Sequence, residues 1–378
     1  MTETQTPIRV LCVFGRLDRG GAETMCMELY RHIDRQKIQF DFIKHTSDKC
    51  AFDDEILALG GRIYEAPPYK VYNHVLYCNW WKRHLSDHPE HRIIHGHYFT
   101  ISSVFFKVSK KMGRITVGHS HCAKSMNSKQ RDKSIIKRLK TKVHSFFLKK
   151  VEHRADHCLA CSKEAGKWVF PHKEPIILNN AIDAAKFVFS PETRSDVRKE
   201  LGINANDLLV GTVGRFNEPK NPYGIVDIFK SLSLKELNAR MLWVGDGEMR
   251  VEIKQRISQE NLTSSVIMTG VRKDVERMLQ AMDVFILPSL WEGLPVSLIE
   301  AQAAGLPCLC SDTVSREAAV TELCDFLPLP QPELWAKKIL EVSKRERVDT
   351  SEQIIKSGYD IKTTSKWLED FYIKCSDN

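Results

Sequence analysis

Short apolar runs alternate with segments of helical periodicity along almost the whole chain. Residues 8–14 form one such run, which is followed by a glycine pair and then by apolar residues at helical spacing over residues 22–33. This succession predicts a strand and then a helix. Repeated units of this kind form parallel sheets with helices on both faces. The pattern therefore places the chain in the α/β class.

The predicted strands fall into two groups, separated by residues 175–185. Their ranges are 8–14, 40–44, 62–64, 93–95, 115–118 and 158–161 in the first group, and 208–213, 240–244, 266–269, 284–287 and 307–310 in the second. The length of 378 residues exceeds the ~100–200 residues of one ordinary domain. We therefore predict two doubly wound domains, residues 1–175 and 176–358, and a C-terminal helix over residues 359–378 that packs back on the first domain.

Composition and cysteine usage exclude several classes of protein. Apolar residues make up 42% of the chain, which is enough for a sizeable core and excludes intrinsic disorder. The first residues lack the basic leader and cleavage site of a signal peptide, and no run approaches the ~20 apolar residues of a membrane span. The eleven cysteines are scattered, so we expect free thiols. The C-x-x-C pair Cys158 and Cys161 lies in a predicted strand and has no partner pair for a zinc site.

The net charge of +8 is concentrated in one segment. Residues 107–154, which include a predicted helix over residues 134–154, contain fifteen Lys or Arg and two acidic residues, a local charge of +13. Nucleic acid, anionic lipid and a phosphorylated substrate are polyanions that such a segment could attract. A solvated basic helix face is an equal alternative.

Two glutamates stand at the end of a predicted strand and in the helix that follows it. Glu292 lies in a loop after the strand over residues 284–287, and Pro295 opens a helix whose first amides can hold phosphate oxygens. Glu300 follows within that helix among apolar neighbours, where a carboxylate needs hydrogen-bond donors such as those of a ribose diol. The alternative is two solvent-exposed glutamates beside a helix start.

Cations and glycines follow the opening strand of each predicted domain. In the second domain, Gly214 and Arg215 end the strand and Lys220 comes five residues later, a combination suited to a diphosphate. In the first domain, Gly20 and Gly21 precede a helix and let its amides approach an anion or a sugar hydroxyl, unless they form only an ordinary turn.

Two pairs of histidines also follow predicted strands, His95 with His97 and His119 with His121. Four imidazoles could bind a metal, but the i, i+2 spacing on a loop is not a dedicated metal motif and no carboxylate accompanies it. We therefore predict no metal site. His119 is better placed to act as a neutral hydrogen-bonding group near a reacting centre, and a structural histidine is the alternative.

The motifs GGAE, HSH, VGRFNEPKN, VGDGE, MTGVRKDV and PSLWEGLPVSLIEAQAAGLPCLCSD occur in this order, and the last one contains the E-x7-E pair Glu292 and Glu300. Together they resemble the retaining glycosyltransferases of family 4, in particular those of bacterial capsule and exopolysaccharide synthesis. The resemblance covers nearly the whole chain. It implies the GT-B fold, in which two Rossmann-like doubly wound domains face each other across a deep cleft.

The resemblance also implies a role for each candidate residue. Donor binding would fall to eight residues of the second domain: Gly214, Arg215, Lys220, Val271, Arg272, Gly293, Leu294 and Glu300. The two cations and the backbone at residues 293 and 294 would hold the diphosphate, Glu300 the ribose, and residues 271 and 272 would lie beside the nucleobase. Catalytic roles would fall to Glu292, which holds the transferred hexose, and to His119 near the sugar. Gly20 and Gly21 would line the donor and acceptor side of the cleft.

The implied reaction transfers a hexose from a nucleotide sugar, with UDP favoured by family frequency, to a lipid-linked saccharide with retention of anomeric configuration. No Asp-x-Asp motif follows an apolar strand, so we expect no metal cofactor. For Glu292 we favour binding and orientation over a nucleophilic role. We expect a cytoplasmic protein, and the segment 107–154 suggests the hypothesis of a peripheral position on the inner face of the cell membrane.

Three other functions remain as alternatives. An NAD-dependent oxidoreductase would use related Rossmann-like units, but neither domain has G-x-G-x-x-G with an acidic residue about 20 positions later. A sugar epimerase shares the fold, although the E-x7-E pair favours transfer. An RNA-binding protein is supported by the basic segment alone, and we expect no nucleic-acid partner.

Overall fold

The structure, a computed structural model, describes residues 6–97, 99–121 and 150–377, and for residues 99 and 100 it describes the backbone alone. It divides into two units. The first comprises Met1–Ala181 with Ile361–Asn378, and the second comprises Ile182–Asp360. The sequence placed this division after residue 175. The difference arises because residues 176 and 177 form a short strand in the first unit.

The first unit contains a seven-stranded sheet in the order β3-β2-β1-β4-β5-β6-β7, with all neighbouring strands parallel. The direction of winding reverses between β1 and β4, and open parallel sheets bind ligands beyond the strand ends at such a reversal. The strands are β1 (Ile8–Val13), β2 (Ile38–Lys44), β3 (Ile63–Glu65), β4 (His91–Gly96), β5 (Ile115–Ser120), β6 (His157–Ala160) and β7 (Ile176–Ile177).

The second unit contains a six-stranded sheet in the order β10-β9-β8-β11-β12-β13, again with all neighbours parallel. Its winding reverses between β8 and β11, so both sheets have the doubly wound topology that the sequence predicted. The strands are β8 (Leu208–Val213), β9 (Ala239–Val244), β10 (Val266–Gly270), β11 (Val284–Leu287), β12 (Cys308–Ser311) and β13 (Cys324–Leu327).

Helices connect the strands in both units. In the first unit they are Gly21–His32, Asp53–Ala58, His74–Asp87, Phe99–Lys111, Lys163–Val169 and Ile361–Asp377, with a 3-10 turn at Val71–Asn73. In the second they are Pro191–Glu200, Pro222–Ser233, Arg250–Gln259, Val275–Ala281, Val296–Ala303, Pro332–Val342 and Ser351–Lys356, with 3-10 turns at Ala184–Phe187, Glu218–Lys220 and Arg316–Ala318. Most of the predicted helix over residues 134–154 lies outside the described residues.

Several short elements were not among the sequence predictions. Among them are the strands β7 and β13, of two and four residues. The helix Pro191–Glu200 is almost entirely polar, and Val197 is its only aliphatic residue. Ser190 caps it, since its hydroxyl oxygen accepts a hydrogen bond from the amide of Thr193 at 3.1 Å. Ser-Pro at a helix start was the available signal.

Helices cover both faces of each sheet, so the central strands are buried. All seven residues of β2 are buried, including Asp41, whose carboxylate accepts hydrogen bonds from Arg9 at 2.6 Å and His91 at 2.8 Å. The described cysteines are free thiols, as predicted from their scatter. Within the described ranges, no helix combines the length and apolar character that crossing a bilayer would need.

Candidate functional site

The candidate site of the second unit lies at the carboxyl ends of β8 and β11, where the winding of the sheet reverses. The ammonium of Lys220 lies 2.6 Å from Oε1 of Glu292. Two further bonds join the same loops: the side chain of Asn221 donates to the carbonyl of Pro288 at 2.9 Å, and the amide of Leu290 donates to that of Pro219 at 2.8 Å. The loops that follow β8 and β11 are therefore bonded directly to each other.

Lys220 and Glu292 are both mostly buried, with 19% and 15% of their side chains exposed. The hydroxyl of Ser289 also donates to Oε1 of Glu292 at 3.0 Å, and we find no partner for Oε2 among the described residues. The Lys220 stem crosses Gly214 so closely that a Cβ there would lie 3.2 Å from Cε of the lysine. The glycine thus leaves room for the lysine to reach the carboxylate.

Two glycines of the VGDGE motif pack closely against the backbone of the loop that carries Arg215. A Cβ on Gly245 would lie 2.0 Å from the carbonyl oxygen of Gly214, and one on Gly247 would lie 2.6 Å from that of Phe216. Gly245 also has φ +140°, a backbone conformation that other residues rarely adopt. The motif was part of the resemblance, but no role for these glycines was predicted from the sequence.

The remaining diphosphate candidates are accessible. Arg215 is exposed, and its guanidinium has no partner within the described part of the chain. Gly293 is exposed, with open space where a Cβ would stand. Leu294 is partly buried against the core. The helix Val296–Ala303 then begins after Pro295 without a side-chain cap, so its first amides remain available to an anion.

Glu300 is the only charged residue of the helix Val296–Ala303. Its neighbours Ile299 and Ala301 are fully buried, whereas Glu300 is partly exposed. The carboxylate therefore stands at the edge of an apolar helix rather than in the core. It lies in the helix that follows the Glu292 loop.

Val271 and Arg272 belong to a separate group of residues after β10. Val271 is 71% exposed. The guanidinium of Arg272 forms two bonds with the carboxylate of Asp274, at 2.8 and 2.7 Å, and a third with Glu200 at 3.1 Å. These carboxylates raise the pKa of Arg272. The Arg272 side chain is therefore held by acidic partners within its own unit.

In the first unit, the candidate histidines cluster at the carboxyl ends of β4 and β5. His119 is 2% exposed, stacks on His95 with ring centroids 5.3 Å apart and lies at a tilt against His121 with centroids 4.0 Å apart. His97 lies 2.7 Å from His121, nitrogen to nitrogen, and stacks on Phe14. Neither ring nitrogen of His119 has a hydrogen-bond partner among the described residues.

Burial keeps these imidazoles neutral. Desolvation lowers the pKa of His95 and of His121 to about 3 and the pKa of His97 and His119 well below the ordinary value. At neutral pH, each ring therefore offers a lone pair or an N–H group but no charge.

Gly20 and Gly21 begin the first helix of this unit. A Cβ on Gly20 would lie 2.2 Å from Oε2 of Glu23, whereas open space surrounds the corresponding position of Gly21. The backbone at Gly21 is therefore approachable.

Among the candidates of the second unit, the structure thus brings Gly214, Lys220 and Glu292 into direct contact and places Gly293 and Leu294 in the same loop as Glu292. Arg272 belongs to a separate group of ion pairs.

Comparisons with known proteins point to one class of enzyme. Residues 19–186 match the model of Glycosyltransferase Family 4, and residues 193–361 match that of Glycosyl transferases group 1. EpsF of Bacillus subtilis (strain 168), which is named as a glycosyltransferase, is 32% identical over 381 residues, 96% of each chain. The UDP-Gal:alpha-D-GlcNAc-diphosphoundecaprenol alpha-1,3-galactosyltransferase of Escherichia coli is 36% identical over 155 residues, 40% of this chain and 39% of that protein.

A solved structure is similar over the whole chain. Alr3699/HepE of Anabaena in complex with UDP has a TM-score of 0.77 and 17% sequence identity, covering 98% of this chain and 100% of that one. At this identity the similarity concerns the fold alone. Together with the two parallel Rossmann-like sheets, it confirms the predicted GT-B fold.

Proposed function

The chain belongs to the glycosyltransferases of group 1 and family 4, and from this membership we propose that it transfers a hexose from a UDP-sugar to a lipid-linked saccharide with retention of anomeric configuration. The product would serve bacterial capsule or exopolysaccharide synthesis. The HepE complex supports UDP as the nucleotide, and the name of the Escherichia coli relative supports an acceptor carried on a lipid diphosphate. An oxidoreductase has no support from these relatives.

The observation that carries the proposal is the Lys220–Glu292 pair at the reversal between β8 and β11. The ammonium of Lys220 contacts the loop that precedes an uncapped helix start, and the guanidinium of Arg215, five residues before Lys220, is exposed. Cations and helix amides stabilise the negative charge that develops on a departing diphosphate. This set would perform the task without a metal ion. While no donor is bound, the carboxylate of Glu292 neutralises Lys220.

Glu292 and Glu300 would bind different parts of the donor. Oε1 of Glu292 already accepts hydrogen bonds from Lys220 and Ser289, so Oε2 is the oxygen that could accept one from a hexose hydroxyl. Glu300, half-exposed at the edge of its helix, could accept hydrogen bonds from both ribose hydroxyls. The exposed Val271 would lie beside the base. Arg272, held by Asp274, would position that loop rather than bind the base with its side chain.

Retention follows if the acceptor attacks on the face from which the diphosphate departs. The bond between the anomeric carbon and the phosphate oxygen breaks, and its electron pair stays on UDP. The acceptor oxygen forms the new bond to that carbon, and its proton passes to the departing phosphate. Arg215 and Lys220 would stabilise this charge, Glu292 would orient the sugar, and neutral His119 would contact it.

An apolar surface supports a peripheral position at the cytoplasmic face of the membrane. Four large apolar side chains are 65–83% exposed around the start of the helix His74–Asp87: Val71, Tyr72, Val75 and Leu76. The basic residues Lys70, Lys82 and Arg83 are exposed on the same stretch. Apolar side chains that insert into the bilayer and neighbouring cations that attract anionic headgroups together bind a protein to a membrane surface. Part of the basic segment, residues 122–149, lies outside the described residues.

Nucleotide-sugar binding tests the proposal most directly. UDP, UDP-glucose, UDP-galactose and UDP-N-acetylglucosamine should each raise the midpoint of thermal unfolding, and GDP- and ADP-sugars should raise it less. The best donor is then incubated with a synthetic lipid-diphosphate saccharide, in buffer with and without EDTA. Proton NMR of the product should show the anomeric configuration of the donor. If no sugar nucleotide shifts the midpoint, the proposed function is wrong.

Membrane association has its own test. The protein should sediment with vesicles that contain anionic phospholipid and remain in the supernatant with neutral ones. Replacing Tyr72 and Leu76 by serine should reduce the bound fraction several-fold. The matched control replaces Leu234 and Leu237, which are exposed to a similar degree in the second unit. Equal sedimentation of all forms would contradict this part of the proposal.

A further inference from the structure

Three imidazoles of the first unit meet at the ends of β4 and β5, and the transfer chemistry proposed above uses only one of them. His95, His97 and His119 are each at least 93% buried. One ring nitrogen from each residue lies within 4.8 Å of those of the other two. Each of the three residues also has a ring nitrogen without a hydrogen-bond partner among the described residues: Nε2 of His95, Nε2 of His97 and both nitrogens of His119.

Buried polar atoms without partners are rare, because desolvation without a compensating hydrogen bond is unfavourable. Three histidines grouped this closely, each with such a nitrogen, indicate a missing partner. A partner that accepts a lone pair from one nitrogen of each ring would satisfy all three imidazoles.

Two of the imidazoles are already oriented by bonds from their other nitrogen. Nδ1 of His95 shares a hydrogen bond with the hydroxyl of Tyr372 at 2.5 Å, and Nδ1 of His97 shares one with Nε2 of His121 at 2.7 Å. If each Nδ1–H is the donor, both Nε2 atoms present lone pairs. Such second bonds are what fixes the tautomer and orientation of metal-binding histidines in proteins.

We propose that His95, His97 and His119 form a binding site for one divalent transition-metal ion of the zinc type. Three neutral histidines with an open fourth position are an established ligand set for zinc, and imidazole favours such ions over Mg²⁺ or Ca²⁺. Zinc–nitrogen bonds of about 2.0–2.1 Å require ligand nitrogens about 3.4 Å apart, and the rings would have to adjust to that spacing. This prediction differs from the sequence analysis, in which the spacing of the histidines gave no indication of a site.

A competing ligand set shares one of these residues. The thiols of Cys12 and Cys26 group with His97 within the same 4.8 Å. Each residue of the histidine set has a ring nitrogen without a hydrogen-bond partner among the described residues. We therefore favour the histidine set, because its nitrogens still need a partner.

Cobalt provides a spectroscopic test on the full-length protein after treatment with a chelator. Co²⁺ should bind with one ion per chain and produce the visible absorption bands of a tetrahedral or five-coordinate site, and Zn²⁺ should displace it. The absence of stoichiometric binding would overturn the proposal. A strong thiolate-to-cobalt band in the near ultraviolet would also overturn it, because the ligands would then be Cys12 and Cys26.

Variants assign the ligands. His97→Ala and His119→Ala should each weaken Co²⁺ binding by more than about 10-fold. His153→Ala and His172→Ala, two exposed histidines of the same unit, are the matched controls and should bind as the wild type does. If His97→Ala fails to fold, Tyr372→Phe removes only the bond to His95 and should still weaken binding several-fold. Unchanged affinity in the ligand variants would contradict the site.

These measurements do not use the transfer reaction, so their outcome is independent of the proposed function. One consequence rests on it: an ion bound to His119 takes the lone pair that would contact the sugar, and Zn²⁺ should therefore inhibit transfer. Stoichiometric binding without inhibition would contradict the placement of His119 at the sugar and leave the metal site intact.

Discussion

The two sheets share one winding pattern but differ in what their strand ends present. At the carboxyl ends of β4 and β5, the polar groups are buried imidazoles, and His119 is 2% exposed. After β8 and β11, they are charges, with Lys220 and Glu292 paired and still 19% and 15% exposed. A side chain stays ionised where an opposite charge or solvent stabilises it, whereas a fully desolvated position favours the neutral form of a titratable group. The same topology therefore supports charge neutralisation in one unit and neutral contacts in the other.

The first unit does contain a buried charge, but away from these histidines. Asp41 accepts hydrogen bonds from Arg9 and His91, which stand near the amino ends of β1 and β4. His95 and His97 stand at the opposite end of β4. A second buried ion pair, Lys44 with Asp53 at 2.8 Å, stands at the carboxyl end of β2. The contrast between the two units thus concerns the ends of β4 and β5 against those of β8 and β11, and not the whole sheets.

The largest expected effect concerns the paired charges of the second unit. Lys220→Ala should lower kcat/KM for transfer by about 10²–10³-fold, because it removes a cation that stabilises the departing diphosphate. Steady-state rates with the best UDP-sugar measure this. Lys230→Ala, which breaks a more exposed pair with Glu260 in the same unit, is the matched control. Similar rates for both variants would remove Lys220 from the reaction.

The next effect concerns nucleotide affinity. Glu300→Ala should weaken UDP binding by about 10–100-fold, the range expected for lost hydrogen bonds to a charged group. Isothermal titration with UDP measures it directly. Glu341→Ala removes an exposed glutamate from another helix of the same unit and should leave the affinity unchanged. If Glu300→Ala binds UDP normally, the carboxylate does not hold the ribose.

The buried charge of the first unit should appear in the pH dependence of stability. Desolvation would raise the pKa of Asp41, but hydrogen bonds from Arg9, His91 and the amide of Arg62 outweigh it and lower the pKa to about 2. A lowered carboxylate pKa stabilises the fold above the unfolded-state value of about 3.9, and this contribution disappears as the pH falls to about 2. The free energy of unfolding should therefore lose about 2 kcal/mol from this group between about pH 5 and pH 2.

Urea denaturation of the wild type and Asp41→Asn over that pH range isolates this contribution. The variant should be less stable at pH 6 and show a shallower decline. Asp54→Asn, at an exposed ion pair with Lys49, should follow the wild type. Parallel curves for the wild type and Asp41→Asn would show that the buried network does not couple to pH.

The smallest effect tests the contrast itself. His119→Ala should lower the transfer rate by about 10-fold, because it removes one hydrogen-bonding contact to the sugar, and should leave UDP affinity unchanged. The control is the exposed His153→Ala. A loss of UDP affinity comparable to that of Glu300→Ala would contradict the proposal that His119 contacts only the sugar and that residues of the second unit bind the nucleotide.

Five of the six strands of the second unit could be predicted with little error, and contacts between loops could not. The ranges predicted for β8 and β11 agree with the structure. Each strand is a short apolar run bounded by polar residues, so its signal is local. Lys220 and Glu292 are 72 positions apart, and their contact depends on β8 and β11 being neighbours in the sheet. Arg272 is a second example of a contact that the sequence could not predict. The resemblance placed this residue beside the base, but its side chain forms hydrogen bonds with Asp274 and Glu200.

The sequence by itself determined the α/β class, the two doubly wound sheets and the family, because hydrophobic periodicity and ordered motifs are properties of neighbouring residues. The tertiary structure alone decided which polar groups are desolvated and which atoms meet. Spacing along the chain identified His95, His97 and His119 as histidines after strands, but their grouping, each with an unpaired ring nitrogen, arises only when β4 and β5 lie side by side. Burial and distance depend on packing between segments that are remote in sequence, and no local pattern encodes them.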